Sequence, residues 1–354
     1  MSSIPLMPGI SSQMVATPRL TIHVRTSGPD NGVPVLFVHG NNSCATYWEE
    51  VMLALPAGFR GIAPDLRGYG DTEFKPVDAT RGCNDWADDL LGLADALSYE
   101  RFHLVGHSLG GSVAWALLAA APARLLSVTL AAPGSPYGYG GSKGLDGEPC
   151  WPDFAGSGGG LTNAEFARRE GEGDRGIENP QSAPRVVMNT FYWKPPFKPA
   201  REEELLSGLL SIKVRPDNHP GDMVPSANWP GVGPGVFGPN NALSPKYVGD
   251  TVERIVAAAA KPPVLWVRGA NDQIVGDSSL FEIGTLGKLG VVPGWPGEEV
   301  FPSQPMLGQT RRVLERYAAA GGSFRELVLD DCGHTPYIEK PAEFNTAFHE
   351  LLRG

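Results

Sequence analysis

The strongest constraint in this chain is a short passage. A strand-like run, Phe102 to Val105, turns through Gly106-His107-Ser108-Leu109-Gly110-Gly111, and helical spacing continues from Leu109 to Ala121. G-x-S-x-G between a buried strand and a helix demands a sharp strand-to-helix turn with the serine at its apex. Glycines at 106 and 110 remove side chains that would clash with the crowded flanks. The turn lifts the Ser108 hydroxyl above the sheet edge. The helix beginning at Leu109 aims free N–H groups at negative charge developing there. The plain alternative is a tight turn with no chemistry. The strand before the motif and the helix after it tell against that alternative.

The surrounding pattern extends the same architecture. Val35 to Val38 is a continuous apolar run, as expected of a parallel strand buried on both faces. Leu20 to Arg25, Phe59 to Ala63 and Leu125 to Leu130 read as further strands. Ala45 to Leu55 and Asn84 to Leu97 carry helical spacing. Strands alternating with helices of this length predict a parallel sheet covered on both sides. The alternation stops at Pro133 and resumes at Pro263. Val264 to Val267 is then a strand, Thr310 to Ala320 a helix, Phe324 to Leu329 a strand and Ala342 to Leu352 a last amphipathic helix.

The sequence therefore divides into a core domain, 1–132 with 262–354, and a largely helical cap over 133–261. Within the cap, helices are expected at Glu165 to Arg169, Glu202 to Leu210 and Thr251 to Ala260. The first opens on Thr162-Asn163-Ala164-Glu165, a capping-box pattern. Gly156 to Gly160 follows no strand and lacks a Lys-Ser/Thr ending, so it is no phosphate loop and reads as a flexible, mobile cap loop. The 45 glycines and 33 prolines of the 354 residues concentrate between about 133 and 240 and again between about 284 and 308, the latter within a second insertion at about 278–309.

Hydrophobic residues make up 42% and charged residues 19%, enough apolar material for a sizeable core. A net charge of −10 disfavours nucleic acid or an anionic membrane as partner. Cys44, Cys83, Cys150 and Cys332 show no C-x-x-C pair and no metal spacing. Reduced thiols in a cytoplasmic protein are the simpler expectation, with one disulfide left open. Met1 to Val15 lacks the pattern of a signal peptide, and no stretch is long enough to span a bilayer. The expected partner is a small-molecule substrate; monomer and homo-oligomer stay open.

A serine hydroxyl needs a base. His334, in Asp331-Cys332-Gly333-His334-Thr335-Pro336, follows the last strand and so falls at the same sheet end as Ser108. His23, His103, His219 and His349 sit in strands, a helix or the Pro/Gly-rich insertion and read as structural or solvated. His39 reads as a hydrogen-bonding strut. His107 adjoins the serine and is at most a wall of the site. The base needs an acid to fix its tautomer. Asp272, in Arg268-Gly269-Ala270-Asn271-Asp272, follows the strand 264–267 and completes the order Ser, Asp, His. Asp277, Glu282, Asp330 and Asp331 are the rivals. Oxyanion donors are expected from the backbone N–H groups of Leu109 and Asn41, the latter in His39-Gly40-Asn41-Asn42.

Those motifs, with Asp65-Leu66-Arg67-Gly68-Tyr69-Gly70, resemble the cap-containing serine hydrolases of the α/β-hydrolase superfamily over about 19–132 and 262–354. The resemblance implies an α/β-hydrolase fold with a mostly parallel central sheet, an acyl-enzyme mechanism, no cofactor or metal, and structural roles for Asp65 and Arg67. Epoxide hydrolases and haloalkane dehalogenases of this fold carry aspartate where Ser108 stands. The His-Gly-Gly-Pro-Gly run of proline iminopeptidases and the His-Gly-Ser-Gly-Pro-Gly run of ring-cleavage C–C hydrolases are absent. The likeness is to a general ester or lactone hydrolase, an esterase- or lactonase-like enzyme. Asn42, His107, Phe191 and Trp193 are the expected substrate contacts. The remaining insertion aromatics, among them Trp151, Tyr192, Trp229, Trp295 and Phe301, divide between pocket lining and a cap core of their own.

Overall fold

The apolar runs become neighbouring strands of one sheet. The computed structural model describes residues 4–354, so only the first three residues of the Met1–Val15 segment lie outside it. The strands are β1 (Ser11–Ala16), β2 (Thr21–Ser27), β3 (Val33–Val38), β4 (Phe59–Pro64), β5 (Phe102–His107), β6 (Leu125–Ala131), β7 (Val264–Gly269) and β8 (Phe324–Leu329). They pair in the order β1-β2-β4-β3-β5-β6-β7-β8. The first two pairings are antiparallel and all later ones parallel. Every residue of β5 is buried, as its place at the sheet centre requires. The edge strand β1, Ser-Ser-Gln-Met-Val-Ala, is mostly exposed and carries no apolar alternation to announce it.

The pleat distributes β3 between two cores. Leu36 and Val38 join one cluster with Trp86, Leu90, Leu104, Leu117 and Trp266. Val35 and Phe37 join the other with Trp48, Val105, Phe344 and Phe348. Each large apolar side chain so buried contributes about 1.5–3 kcal/mol. The covering helices are α1 (Glu49–Leu53), α2 (Asn84–Ala96) and α3 (Leu109–Ala120) in the first half of the chain. The helix expected over Ala45 to Leu55 is split, since Ala45–Trp48 forms a tighter 3-10 turn ahead of α1.

Between β6 and β7 lie α4 (Ala164–Gly171), α5 (Pro184–Phe191), α6 (Glu202–Leu209) and α7 (Thr251–Ala257), with three pairs of two- or three-residue strands. After β7 come α8 (Met306–Ala319) and α9 (Pro341–Arg353). The capping box fails in detail. Asn163, not Thr162, caps α4, its side chain accepting from the N–H groups of Glu165 and Phe166. Thr162 instead accepts from Asn240 Nδ2. The glycine run 156–160 is a packed segment rather than a loose loop. Gly156 N–H donates to Val232 O and Gly159 N–H to Asn241 Oδ1. A Cβ at Gly156 would lie 2.4 Å from the Phe301 ring.

Several insertion aromatics form their own small core. Trp229 meets Phe301 edge-on at 4.9 Å, and both belong to a cluster with Trp151 and Trp295. Among the described residues all four cysteines are free, and no helix is long and apolar enough to cross a membrane.

Candidate active site

Ser108 caps α3 with φ 54 and ψ −117, a left-handed backbone that a non-glycine residue holds only under constraint. The constraint is visible. Its N–H donates to Ala131 O, and its carbonyl accepts from Gly111, Ser112 and Gly134. A Cβ on Gly106 would fall 2.2 Å from Gly110 O, and one on Gly110 would fall 2.2 Å from Val38 O. Both contacts are with backbone, so only glycine fits. Leu109, the first helical residue, has an N–H with no intrahelical acceptor.

The imidazole and the carboxylate are paired. His334 Nδ1 lies 2.8 Å from Asp272 Oδ2, and both side chains are 3% exposed. Asp272 Oδ1 accepts from the N–H groups of Ile274 and Val275 at 2.8 and 3.0 Å, which fixes the carboxylate plane. The end of β7 packs on the histidine loop. A Cβ on Gly269 would be 2.1 Å from Gly333 O, and Asn271 N–H donates to Cys332 O. Three of the four rival carboxylates are engaged elsewhere. Asp277 accepts from Leu307 N–H, Glu282 caps residues 283–288, and Asp331 pairs with Lys194.

His107 links the turn that carries Ser108 to the loop that carries His334. Their ring centroids are 4.7 Å apart, and His107 Nε2 lies 2.9 Å from His334 O. Burial, reinforced by His334, holds the His107 imidazole well below its usual range, so it is neutral. Ser108 Oγ itself makes no hydrogen bond to His334. Such contacts often tighten only around a bound substrate.

The loop after β3 is held against Ser108. A Cβ on Gly40 would meet His107 Nδ1 at 2.9 Å and Ser108 Cβ at 3.0 Å. Gly40 O accepts from His39 Nδ1 at 2.8 Å and from Ser43 Oγ at 2.9 Å. His39 Nε2 accepts Leu66 N–H at 2.9 Å, which fixes the proton on Nδ1. Burial depresses the His39 pKa against the opposing charge of Asp65, in keeping with a neutral strut. Because the peptide is planar and trans, a carbonyl pinned on one side turns the Asn41 N–H to the other.

The side chains of this loop answer a question the sequence left open. Asn41 Oδ1 accepts from Tyr69 Oη at 2.7 Å, and Asn41 Nδ2 donates to Asn240 Oδ1 at 3.0 Å. The Asn41 amide is thus occupied within the protein. Asn42, with φ 46, donates from Nδ2 to Glu170 Oε1 and accepts from Tyr192 Oη at its carbonyl. Glu170 Oε2 pairs with His219 Nε2 at 2.9 Å, so His219 is structural. Trp193 is buried, with Nε1 donating to Asn189 Oδ1 at 3.2 Å. Of the four expected substrate contacts, His107 and Trp193 have their side-chain hydrogen-bonding groups engaged internally, whereas Asn42 has only Nδ2 engaged and its buried Oδ1 has no partner. Phe191 is half-buried and meets Phe281 of the second insertion edge-on at 4.9 Å.

Supporting polar residues complete the frame. Asp65 takes hydrogen bonds from His23 Nδ1 and from the N–H groups of Ala45 and Asp71. Arg67 grips Asp89 through Nε and Nη2. A small cavity of about 30 Å³ lies beside α3 between Ser112, Trp115, Ser135 and Tyr247. Among the described residues no three His, Cys, Asp or Glu side chains form a metal-binding group.

Comparison with known proteins agrees with this architecture. The family model of the alpha/beta hydrolase fold matches residues 33–146. Epoxide hydrolase 2 of Siraitia grosvenorii is 37% identical over 110 residues, 31% of this chain and 34% of the relative. The 2-hydroxymuconate semialdehyde hydrolase of Pseudomonas sp. (strain CF600) is 37% identical over 112 residues, 30% of this chain and 39% of the relative. The chain thus spans well under half the length of these curated relatives. A serine hydrolase from the bacterium Cycloclasticus zankles superposes with a TM-score of 0.61 at 17% identity, covering 98% of this chain and 99% of that one. A Bacillus subtilis carboxylesterase gives 0.57 at 18%, covering 99% and 93%. With the eight-stranded sheet in this order, these matches show that the chain has the α/β-hydrolase fold.

Proposed function

We propose that this protein is a serine-dependent hydrolase that cleaves a carboxylic ester of a bulky apolar small molecule. One observation carries the proposal: the His334–Asp272 pair, buried beside a strained Ser108 at the head of α3. In the proposed mechanism His334 Nε2 takes the Ser108 proton as Oγ attacks the ester carbonyl. The N–H groups of Asn41 and Leu109 hold the oxyanion. The tetrahedral adduct collapses, the C–O bond breaks, and His334 returns the proton to the departing alcohol. Water, deprotonated by His334, then cleaves the acyl-enzyme to release the acid and regenerate Ser108. Residues 133–261 would act as the cap, with Phe191 and Phe281 at its apolar side. The free thiols fit a reducing, cytoplasmic setting.

Although one relative is named an epoxide hydrolase, Ser108 occupies the position where the resemblance places aspartate in such enzymes, and this favours acyl transfer. The relative named 2-hydroxymuconate semialdehyde hydrolase supports a second reading, C–C bond cleavage by the same three residues; a lactone would engage them in the same way. A panel of linear esters, lactones and vinylogous diketones separates these. A ligand receptor of the same fold is the non-enzymatic alternative, and failure of a fluorophosphonate probe to label Ser108 would favour it. The central test is Ser108→Ala on activated aryl esters. Turnover should vanish while the circular dichroism spectrum is retained; hydrolysis at the wild-type rate would sink the proposal.

A further inference from the structure

Two loops must be held in register for the proposed chemistry: Gly40 to Ser43, which presents the Asn41 N–H, and Asp331 to Thr335, which carries His334. Both rest on the same three residues just beyond α5. Tyr192 Oη donates to Asn42 O at 3.0 Å, across 150 positions of sequence. Thr335 Oγ1 donates to Tyr192 O at 2.7 Å, across 143 positions. Two residues on, Lys194 N–H donates to Glu339 Oε1 at 2.8 Å, and Glu339 Oε2 accepts Gly333 N–H at 2.6 Å. Lys194 Nζ also pairs with Asp331. The backbones touch: a Cβ on Gly333 would fall 2.7 Å from Lys194 N and 2.8 Å from the Trp193 carbonyl carbon.

We propose that Tyr192 is a positioning residue for both loops, its hydroxyl setting the oxyanion loop and its carbonyl setting the loop of the base. This rests on the serine-hydrolase proposal above. Tyr192 is 8% exposed, and burial raises its phenol pKa, so the hydroxyl remains a proton donor. Asn42 holds a left-handed backbone, φ 46, for which a non-glycine residue needs outside support. The Tyr192 hydroxyl on its carbonyl and Glu170 on its amide supply that support from two sides. The insertion is therefore a structural part of the proposed oxyanion hole as well as a cover.

Tyr192→Phe removes only the hydroxyl. On an aryl ester, kcat should fall about tenfold with KM unchanged to within about twofold, the scale of one lost hydrogen bond felt in the transition state. Affinity for an arylboronic acid, which forms a tetrahedral adduct on serine, should weaken by a similar factor. Tyr247→Phe is the control: it removes another hydroxyl of the insertion, donated to Gly235 O at 2.6 Å, and should leave kcat at the wild-type value. A Tyr192→Phe enzyme with wild-type kcat, or an equal loss in Tyr247→Phe, overturns the proposal. If Tyr192→Phe does not fold, Thr335→Val removes the other hydrogen bond and is judged by the same criterion. Ser108→Ala keeps the two levels apart. Its full activity would sink the serine mechanism itself, whereas an inactive Ser108→Ala beside a fully active Tyr192→Phe sinks only the role given to Tyr192.

Discussion

His107 Nε2 donates to the main-chain oxygen of His334 at 2.9 Å, so the residue preceding Ser108 grips the backbone of the His334 loop. Facing a carbonyl, Nε2 must carry the proton, and Nδ1 accepts from Tyr337 Oη at 3.3 Å. A side chain expected to form a wall of the site is instead a tether between its two halves.

His107→Phe keeps a ring of similar size and removes both hydrogen bonds. The His334 loop loses its grip on the elbow, and kcat for an aryl ester should drop about tenfold or more. The pH at which activity is half-lost on the acid side should stay where it is, because His107 is already neutral. Steady-state kinetics across pH would check both parts; a displaced acid limb would show that His107 titrates in the reaction.

Asp272→Asn should be more damaging than the loss of one charge. Oδ1 faces the N–H groups of Ile274 and Val275, so an asparagine must keep its oxygen there and turn its NH₂ toward His334. That forces the His334 proton onto Nε2, where no proton can be taken from Ser108. A loss of about 10³–10⁴-fold in kcat is expected, by analogy with the same change in a serine protease. An asparagine variant with near-native turnover would mean that another carboxylate serves His334.

Stability should fall on mild acidification. Burial holds the imidazoles of His39, His103 and His107 below their usual range, His103 at about 4. The unfolded chain takes up these protons near pH 6.5 and the folded protein only further down. Below that point the unfolded state binds more protons, so stability present above about pH 6.5 is lost as pH falls toward 4. Burial would raise the Asp65 carboxyl, but the His23 hydrogen bond, the nearby imidazoles of His23 and His39 and the Ala45 N–H bring it to about 2, and its contribution is lost as pH falls below about 4. Urea midpoints measured across this range would show the decline; a flat profile would contradict it.

Gly106→Ala should yield no soluble folded protein. The added carbon would sit 2.2 Å from Gly110 O in the backbone of α3, where nothing can swing aside. Gly144, with open space around its Cβ position, is the comparison: Gly144→Ala incurs only the strain of its φ of +64 and should fold. Soluble yield and circular dichroism distinguish the two.

The sheet was legible because strands buried on both faces are written as unbroken apolar runs, as in Val35 to Val38. The pairing of Asp272 with His334 was legible because both follow parallel strands, and parallel strands deliver their ends to one side. The bracing of the site was not. Tyr192 figured only among the insertion aromatics, and Glu170, Asn240 and His219 are polar residues whose partners lie 49 to 199 positions away. No local periodicity records such pairings. The Thr162 cap misled for a related reason: asparagine one residue on is an equally good cap, and Thr162 was needed by Asn240.

Grafting an insertion from another chain of this fold in place of residues 133–261 would be an exchange of more than a cover. Here the triplet 192–194 makes that exchange incomplete. A foreign segment would, in the same stroke, remove the hydrogen bonds that tie Asn42, Thr335 and Glu339 to residues 192–194. A workable chimera would have to keep Tyr192, Trp193 and Lys194 with their partners Asn42, Thr335 and Glu339, and splice on either side of them.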